Sequence, residues 1–195
     1  MILTKSKKDE RILISAFGVS QGIVVDKQYY ILEFSFMDIN TCLIGYLKHK
    51  FFIESPFSHT ELTSRYPKVR INVTVNPPFY RSYDFVLQFL RERYRKLRIL
   101  YPNRRLVFAY KGNKHQSKIF HDAGIKDVFN IELLGIPSLS WLTYLYPSEK
   151  KMCGQHPKRV KQCTERTMRL IFRFVMEHKD FLFENAKQIG LKINH

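Results

Sequence analysis

Two cysteines and a histidine stand within eleven residues, in the run Cys153-Gly-Gln-His156-Pro-Lys-Arg-Val-Lys-Gln-Cys163. Two residues separate Cys153 from His156, and six separate His156 from Cys163. Thiolate sulfur and imidazole nitrogen are the donors zinc takes in tetrahedral sites, and a gap of two lets one turn of backbone bring two ligands to one ion. Cys163 stands where a helical pattern begins, and a helix N-terminus favours a thiolate. Lys150, Lys151, Lys158, Arg159 and Lys161 keep the stretch polar, which argues against cysteines buried only to fill space. A tetrahedral zinc is then one ligand short. The chain has three cysteines in all, which is no disulfide framework. Two remote residues are candidates for the fourth position: Cys42 by its chemistry and Glu33 by its placement. Glu33 is a charge in the middle of the most apolar strand-like run, and a buried carboxylate must be paired or bound to a metal.

The elements around these residues set what is geometrically open to them. Residues 29–38 alternate, with Tyr30, Leu32, Phe34 and Phe36 on one face and Ile31, Glu33, Ser35 and Met37 on the other. Strands at 42–47 and 48–53 complete a three-strand meander. Ahead of it, residues 1–28 read as an N-terminal extension. In it, 12–17 and 23–25 form a hairpin beside the main sheet, with Gly18 and Gly22 bracketing its turn. Residues 54–80 hold Pro56, Pro67, Pro77 and Pro78 and read as irregular, with one short strand at 69–75. A helix follows at 83–97, its apolar stripe made by Val86, Phe89, Leu90, Tyr94 and Leu97. The continuously apolar 106–110 reads as a buried parallel strand. A helix at 114–123 closed by Gly124, a strand at 128–133 and a helix start capped by Ser138 come next. The last long helix, 164–178, presents Met168, Ile171, Phe172, Val175 and Met176 on one face. The main domain is thus 29–180, and 181–195 form a helical tail. Three meander strands followed by alternating helix and strand is the RNase H-like order, an α/β fold with a mixed sheet and helices on both faces. In that order the last helix packs beside the first strand, which would set Cys163 over Glu33.

Charge points to the partner. Lys and Arg number 33 against 17 Asp and Glu, a net +16, and such an excess attracts polyanions. The bases cluster at 91–105, 111–118 and 150–173, interleaved with Tyr80, Tyr94, Tyr101, Tyr110 and Trp141. Cations that hold phosphates beside aromatic faces that stack unpaired bases suit single-stranded nucleic acid. The candidate contacts are Arg91, Arg95, Tyr101, Arg104, Arg105, Lys111, Lys114, Lys158, Arg159 and Lys161. Tyr94 and Tyr110 are assigned to the core, whereas Tyr101, Arg104 and Arg105 fall on a loop. Lys111-Gly112-Asn-Lys114 is too short for a phosphate-binding glycine loop, so no small-molecule substrate is expected. Neither a signal peptide nor a run long enough to cross a membrane is evident, so the chain is expected to be intracellular, in cytoplasm or nucleus, with no membrane partner.

The motif also carries a resemblance. Ile31-Leu-Glu33-Phe-Ser-Phe, with Cys153-x2-His156-x6-Cys163 just before the final helix, resembles the Glu-Cys-His-Cys zinc signature of the Maelstrom domain, a relative of the DnaQ-type 3′–5′ exonucleases. It covers 28–178 as an order of elements and four residues as a motif. It implies a structural zinc on Glu33, Cys153, His156 and Cys163, single-stranded RNA as partner, and association with proteins of small-RNA (piRNA-type) silencing. The HMG box usual in full-length Maelstrom proteins has no counterpart. DnaQ-type enzymes carry Asp-x-Glu on the first strand and His-x4-Asp near the last helix. Here Asp38 lies five residues after Glu33, and Lys161 five after His156. Asp84, Asp122, Asp127, Glu132 and Glu165 are scattered, mostly at helix ends. The expectation is therefore a catalytically degenerate RNA-binding domain, with no catalytic residue assigned. An RNA nuclease of the same fold and a basic adaptor for an acidic protein remain the alternatives.

Overall fold

The structure, a computed structural model, describes residues 2–5, 11–38, 49–58, 60–61, 80–149, 163–188 and 191–193. Its sheet is built on β2 (Arg11–Val25), a fifteen-residue strand. A two-residue turn at Asp26-Lys27, both with positive φ (48° and 67°), folds β2 back onto β3 (Gln28–Asp38). That is the conformation a tight hairpin needs to match the twist of its strands. β3 pairs antiparallel with β4 (His49–Ile53), and β4 pairs parallel with the two-residue β5 (Tyr80–Arg81). On its other side β2 pairs parallel with β6 (Arg105–Tyr110), which pairs parallel with β7 (Val128–Asn130). β1 (Ile2–Lys5) joins the N-terminal end of β2, and β8 (Leu191–Ile193) joins β1, giving a mixed eight-stranded sheet.

Helices cover both faces. On one, α1 (Tyr83–Leu100) and α2 (Lys114–Asp122) enclose a core of Phe34, Phe36, Phe108 and Phe120 with Val86, Leu90, Leu97 and Ile119. Phe108 meets Phe120 edge to face at 5.4 Å, and Phe34 meets it at 6.0 Å, the preferred arrangement of ring quadrupoles. On the other face, α3 (Leu139–Leu145) and α4 (Thr164–Glu177) lay Leu142, Met168, Leu170, Ile171 and Phe174 over Val19, Met37, Val107 and Ala109. α5 (Lys179–Gln188) follows, with Leu182 in the same core. The chain is an α/β protein. Among the described residues no helix is long and apolar enough to cross a membrane.

Several expectations change. No turn separates Gly18 from Gly22: residues 11–25 run as one strand inside the sheet, between β3 and β6. Residues 29–38 are consequently not the first strand of the meander, and Glu33 lies on the strand beside the central one. The even alternation of 29–38 is also broken. Gln21 faces Glu33 and Gly22 faces Ile31, so Leu32 is an extra residue, a β-bulge. One inserted residue moves the side chains beyond it to the opposite face. Ile31 therefore joins Phe34 and Phe36, while Leu32 packs with Ile23 and Val25 in a separate cluster. The expected strand at 128–133 stops at Asn130. Its side chain caps a 3-10 turn, Ile131–Leu134, that ends at Gly135 with φ +85°. The expected strands at 42–47 and 69–75 lie outside the described residues.

Candidate functional site

The start of α4 lacks a local cap. Cys163 occupies the cap position in extended backbone and its side chain makes no capping bond. The partner comes from the sheet. Glu33, 3% exposed on β3, accepts the backbone N–H of Thr164 at 2.9 Å and its hydroxyl at 2.7 Å, both at Oε1. Since that hydroxyl is spent on Glu33, the 2.7 Å contact between Ser35 Oγ and Thr164 Oγ1 has Ser35 donating. A carboxylate at the positive end of a helix is stabilised by the peptide dipoles as well as by these bonds.

Lys50 completes the cluster. β4 pairs with β3 so that Lys50 lies opposite Ser35 and one step diagonally from Glu33. Its Nζ stands 2.6 Å from Glu33 Oε1 and 3.3 Å from Cys163 Sγ, and 4.9 Å from the centre of the Phe52 ring. The Lys50 and Glu33 side chains are 8% and 4% exposed, so both charges are out of water. An isolated buried charge is very unfavourable, and each is tolerated because the other compensates it. The buried carboxylate and thiol therefore share one cation position, held here by an ammonium.

Of the four residues read as zinc ligands, Glu33 and Cys163 are brought together, while Cys153, His156 and the rival Cys42 lie outside the described residues. Among the described residues there is no group of three or more His, Cys, Asp or Glu side chains that could hold a metal ion. Lys50 and Thr164 were not singled out from sequence. Lys50 follows Lys48 and His49 at the edge of the apolar Phe51-Phe-Ile53, so no local signal marks it out.

A second feature adjoins the first. β6 pairs with β2 only as far as Gly18, and β2 runs on to Val25. Where β6 leaves, a cleft of about 410 Å³ opens, lined by Gln21, Tyr29, Lys111, Gln116, Ser138 and Thr164 among others. Ser20 donates to Gln116 Oε1 from its hydroxyl (2.8 Å) and its backbone N–H (3.3 Å). Burial pushes the Tyr29 hydroxyl above its ordinary pKa. The Lys111 ammonium, 2.5 Å from Glu132, holds that carboxyl below the usual range. The cleft lies at the C-terminal ends of the parallel strands, where open α/β sheets bind their ligands.

The basic side chains fall into two groups. Arg105 is tied to Asp127 and Lys111 to Glu132, and Arg91 donates to the Asp122 carbonyl at 3.2 Å. Arg95 on α1 and Lys114 at the start of α2 are exposed and have no ion-pair partner among the described residues. Tyr101 is half-buried against the α1 core, and Arg104 is half-buried with Nη1 lacking a hydrogen-bond partner among the described residues. Lys158, Arg159 and Lys161 lie outside the described residues. No protein-family model matches the sequence, and no curated protein matches it.

Proposed function

We propose that the chain is a zinc-stabilised, catalytically degenerate RNase H-like domain that binds single-stranded RNA. The observation that carries this is the meeting of Glu33 and Cys163 at one buried cation position at the start of α4. Glu33, Cys163, Cys153 and His156 would hold the ion. The mixed oxygen, sulfur and nitrogen donor set suits zinc, and a closed set of four leaves no position for a reacting water. The metal would clasp the last long helix to the sheet.

The RNase H-like assignment is supported by the strand path β4-β3-β2-β6-β7, in which β3 alone runs against the rest, and by α4 packed on that sheet. β2, the first strand of that arrangement, contains no Asp or Glu. A first-strand carboxylate pair is thus missing from the residues where a two-metal nuclease would carry it. This favours binding over hydrolysis. The net charge of +16 and the exposed Arg95 and Lys114 support a polyanionic partner. The Maelstrom resemblance would place the domain in small-RNA silencing, although its Glu sits on the second strand of the meander.

Lys50 favours a second reading of the same cluster, in which its ammonium is the permanent counter-charge and the clasp is metal-free. Zinc content of the purified chain beside Glu33→Ala decides. One zinc per wild-type chain, lost in the variant, supports the metal; a folded, metal-free wild type overturns it. Single-stranded RNA binding that falls steeply with salt supports the partner. No binding at low salt would redirect the search to an acidic protein, and cleavage that copurifies with the chain and is lost on a site substitution would make it a nuclease.

A further inference from the structure

α3 presents two large aromatic rings to water. Trp141 is 53% exposed and Tyr144 73%, the highest exposure among the large apolar side chains described. They stand three residues apart on one helix face and stack on each other, ring centroids 5.3 Å apart and planes 29° from parallel. The helix beneath them is held firmly. Ser138 caps it by accepting the Trp141 N–H at 3.3 Å, Leu142 is fully buried beneath it, and the Tyr146 N–H closes its last turn on the Leu142 carbonyl at 3.0 Å. A single exposed apolar residue requires no explanation, but a stacked, pre-positioned pair of exposed aromatics does.

We infer that Trp141 and Tyr144 form a stacking platform for an unpaired base of single-stranded nucleic acid. The inference rests on the RNA reading above and assigns it a site. A base is a flat ring that extends an existing offset stack, and stacking tolerates any base because every base has a π-face. The charge of the chain argues for this occupant over an apolar protein surface, since +16 draws phosphates to the molecule before any ring contact forms. The platform also stands on the helix whose first residues, Ser138 and Leu139, line the cleft together with Lys111.

Trp141 is the only tryptophan of the chain, so its emission reports this site alone. The 195-residue chain is titrated with a short oligouridylate at low salt, following Trp141 emission and, in parallel, anisotropy of labelled RNA. Saturable quenching with the same midpoint as the anisotropy is expected. Trp141→Ala combined with Tyr144→Ala should weaken binding by roughly 5- to 150-fold, the range for losing one stacked base, while Trp141→Phe keeps most of it. An abasic oligomer carrying the same phosphates should bind more weakly and leave the emission unchanged. Binding by anisotropy with no quenching, and with equal affinity in the double variant, overturns the platform and leaves the RNA reading standing. No binding by either signal overturns both. Unchanged RNA affinity in a double variant that has lost wild-type self-association would assign the rings to a protein interface and overturn the platform.

Discussion

Thr164 presents its backbone N–H and its hydroxyl to one oxygen of Glu33, a residue 131 positions earlier in the chain. A helix start that would ordinarily be capped by its own neighbour is capped by the sheet it packs on. The first turn of α4 thereby depends on a tertiary contact. Replacing Glu33 by Ala removes the cap and takes from the buried Lys50 ammonium the carboxylate oxygen 2.6 Å away. Removing one partner of a buried pair is expected to lower stability by about 3–5 kcal/mol. Thr164→Val deletes one hydroxyl and should lower it by about 1–2 kcal/mol. Replacing Glu33 and Lys50 together by Met should recover much of the single-variant loss, because the buried ion pair is then removed as a unit. Urea unfolding measures all three. Running the wild type with and without a chelator separates the two readings of the cluster: a metal clasp loses stability to the chelator, and an ammonium clasp does not.

The bulge between β2 and β3 makes a second test. A Cβ on Gly22 would stand 1.9 Å from the Tyr30 carbonyl oxygen, a backbone atom that cannot swing aside. Gly22→Ala must therefore open the β2–β3 ladder at the bulge, where the side-chain faces switch. A loss of more than about 2 kcal/mol is expected, in the range of overpacked and backbone-strained variants. A Gly22→Ala chain with wild-type urea midpoint would show that the Tyr30 carbonyl does not stand against Gly22.

What the sequence revealed and what it hid follow from the range of the interactions. Glu33 was legible because one charge interrupts an apolar run, and Cys163 because the helical period starts beside it. α1 was legible because Val86, Leu90 and Leu97 repeat at helical spacing. β2 was not, because Gly18 and Gly22 look like turn residues. They are glycines for a different reason: Phe120 and Phe34 fill the space beside Gly18, within 2.5 and 2.9 Å of where its Cβ would be, and the Tyr30 carbonyl fills that beside Gly22. No local pattern reports what will stand opposite a residue across a sheet. The same limit hid Lys50, whose role depends on a register with Ser35, and Thr164, whose role depends on Glu33. The strand at 128–133 was overextended because Ile131-Glu-Leu-Leu134 is apolar enough for a strand, while the Asn130 cap makes it turn.

The division of the basic surface predicts unequal effects on RNA binding. Arg105 and Lys111 already face Asp127 and Glu132, so their charge is partly compensated before any phosphate arrives. Arg95 and Lys114 are exposed without such partners among the described residues. Arg95→Ala and Lys114→Ala should each weaken binding at every RNA sequence tested and reduce the salt slope by about 1. Arg105→Ala should do less to binding. Affinities across a salt series check this, and equal slopes for all variants would remove Arg95 and Lys114 from the interface.

His49 gives the fold a pH dependence whose sign can be worked out. Arg93 Nη2 lies 3.1 Å from His49 Nε2. A guanidinium has only donors, so Nε2 must accept, and the neutral ring carries its proton on Nδ1. The ring also packs against Phe89, 4.7 Å between centroids. Burial, and then the charge of Arg93, lower the His49 pKa below its ordinary 6.5, against a smaller opposing effect of Asp38. The folded state thus prefers the neutral ring, and the unfolded chain binds the proton first as the solution is acidified. The stability this site contributes is complete above about pH 6.5 and is lost as pH falls toward the lowered folded value. In His49→Gln the side-chain carbonyl can still accept from Arg93 but does not titrate. The stability difference between wild type and this variant should therefore shrink on going from about pH 7 to about pH 5. Urea midpoints measured at both pH values test it. A difference that stays constant would mean that His49 is not held neutral by Arg93.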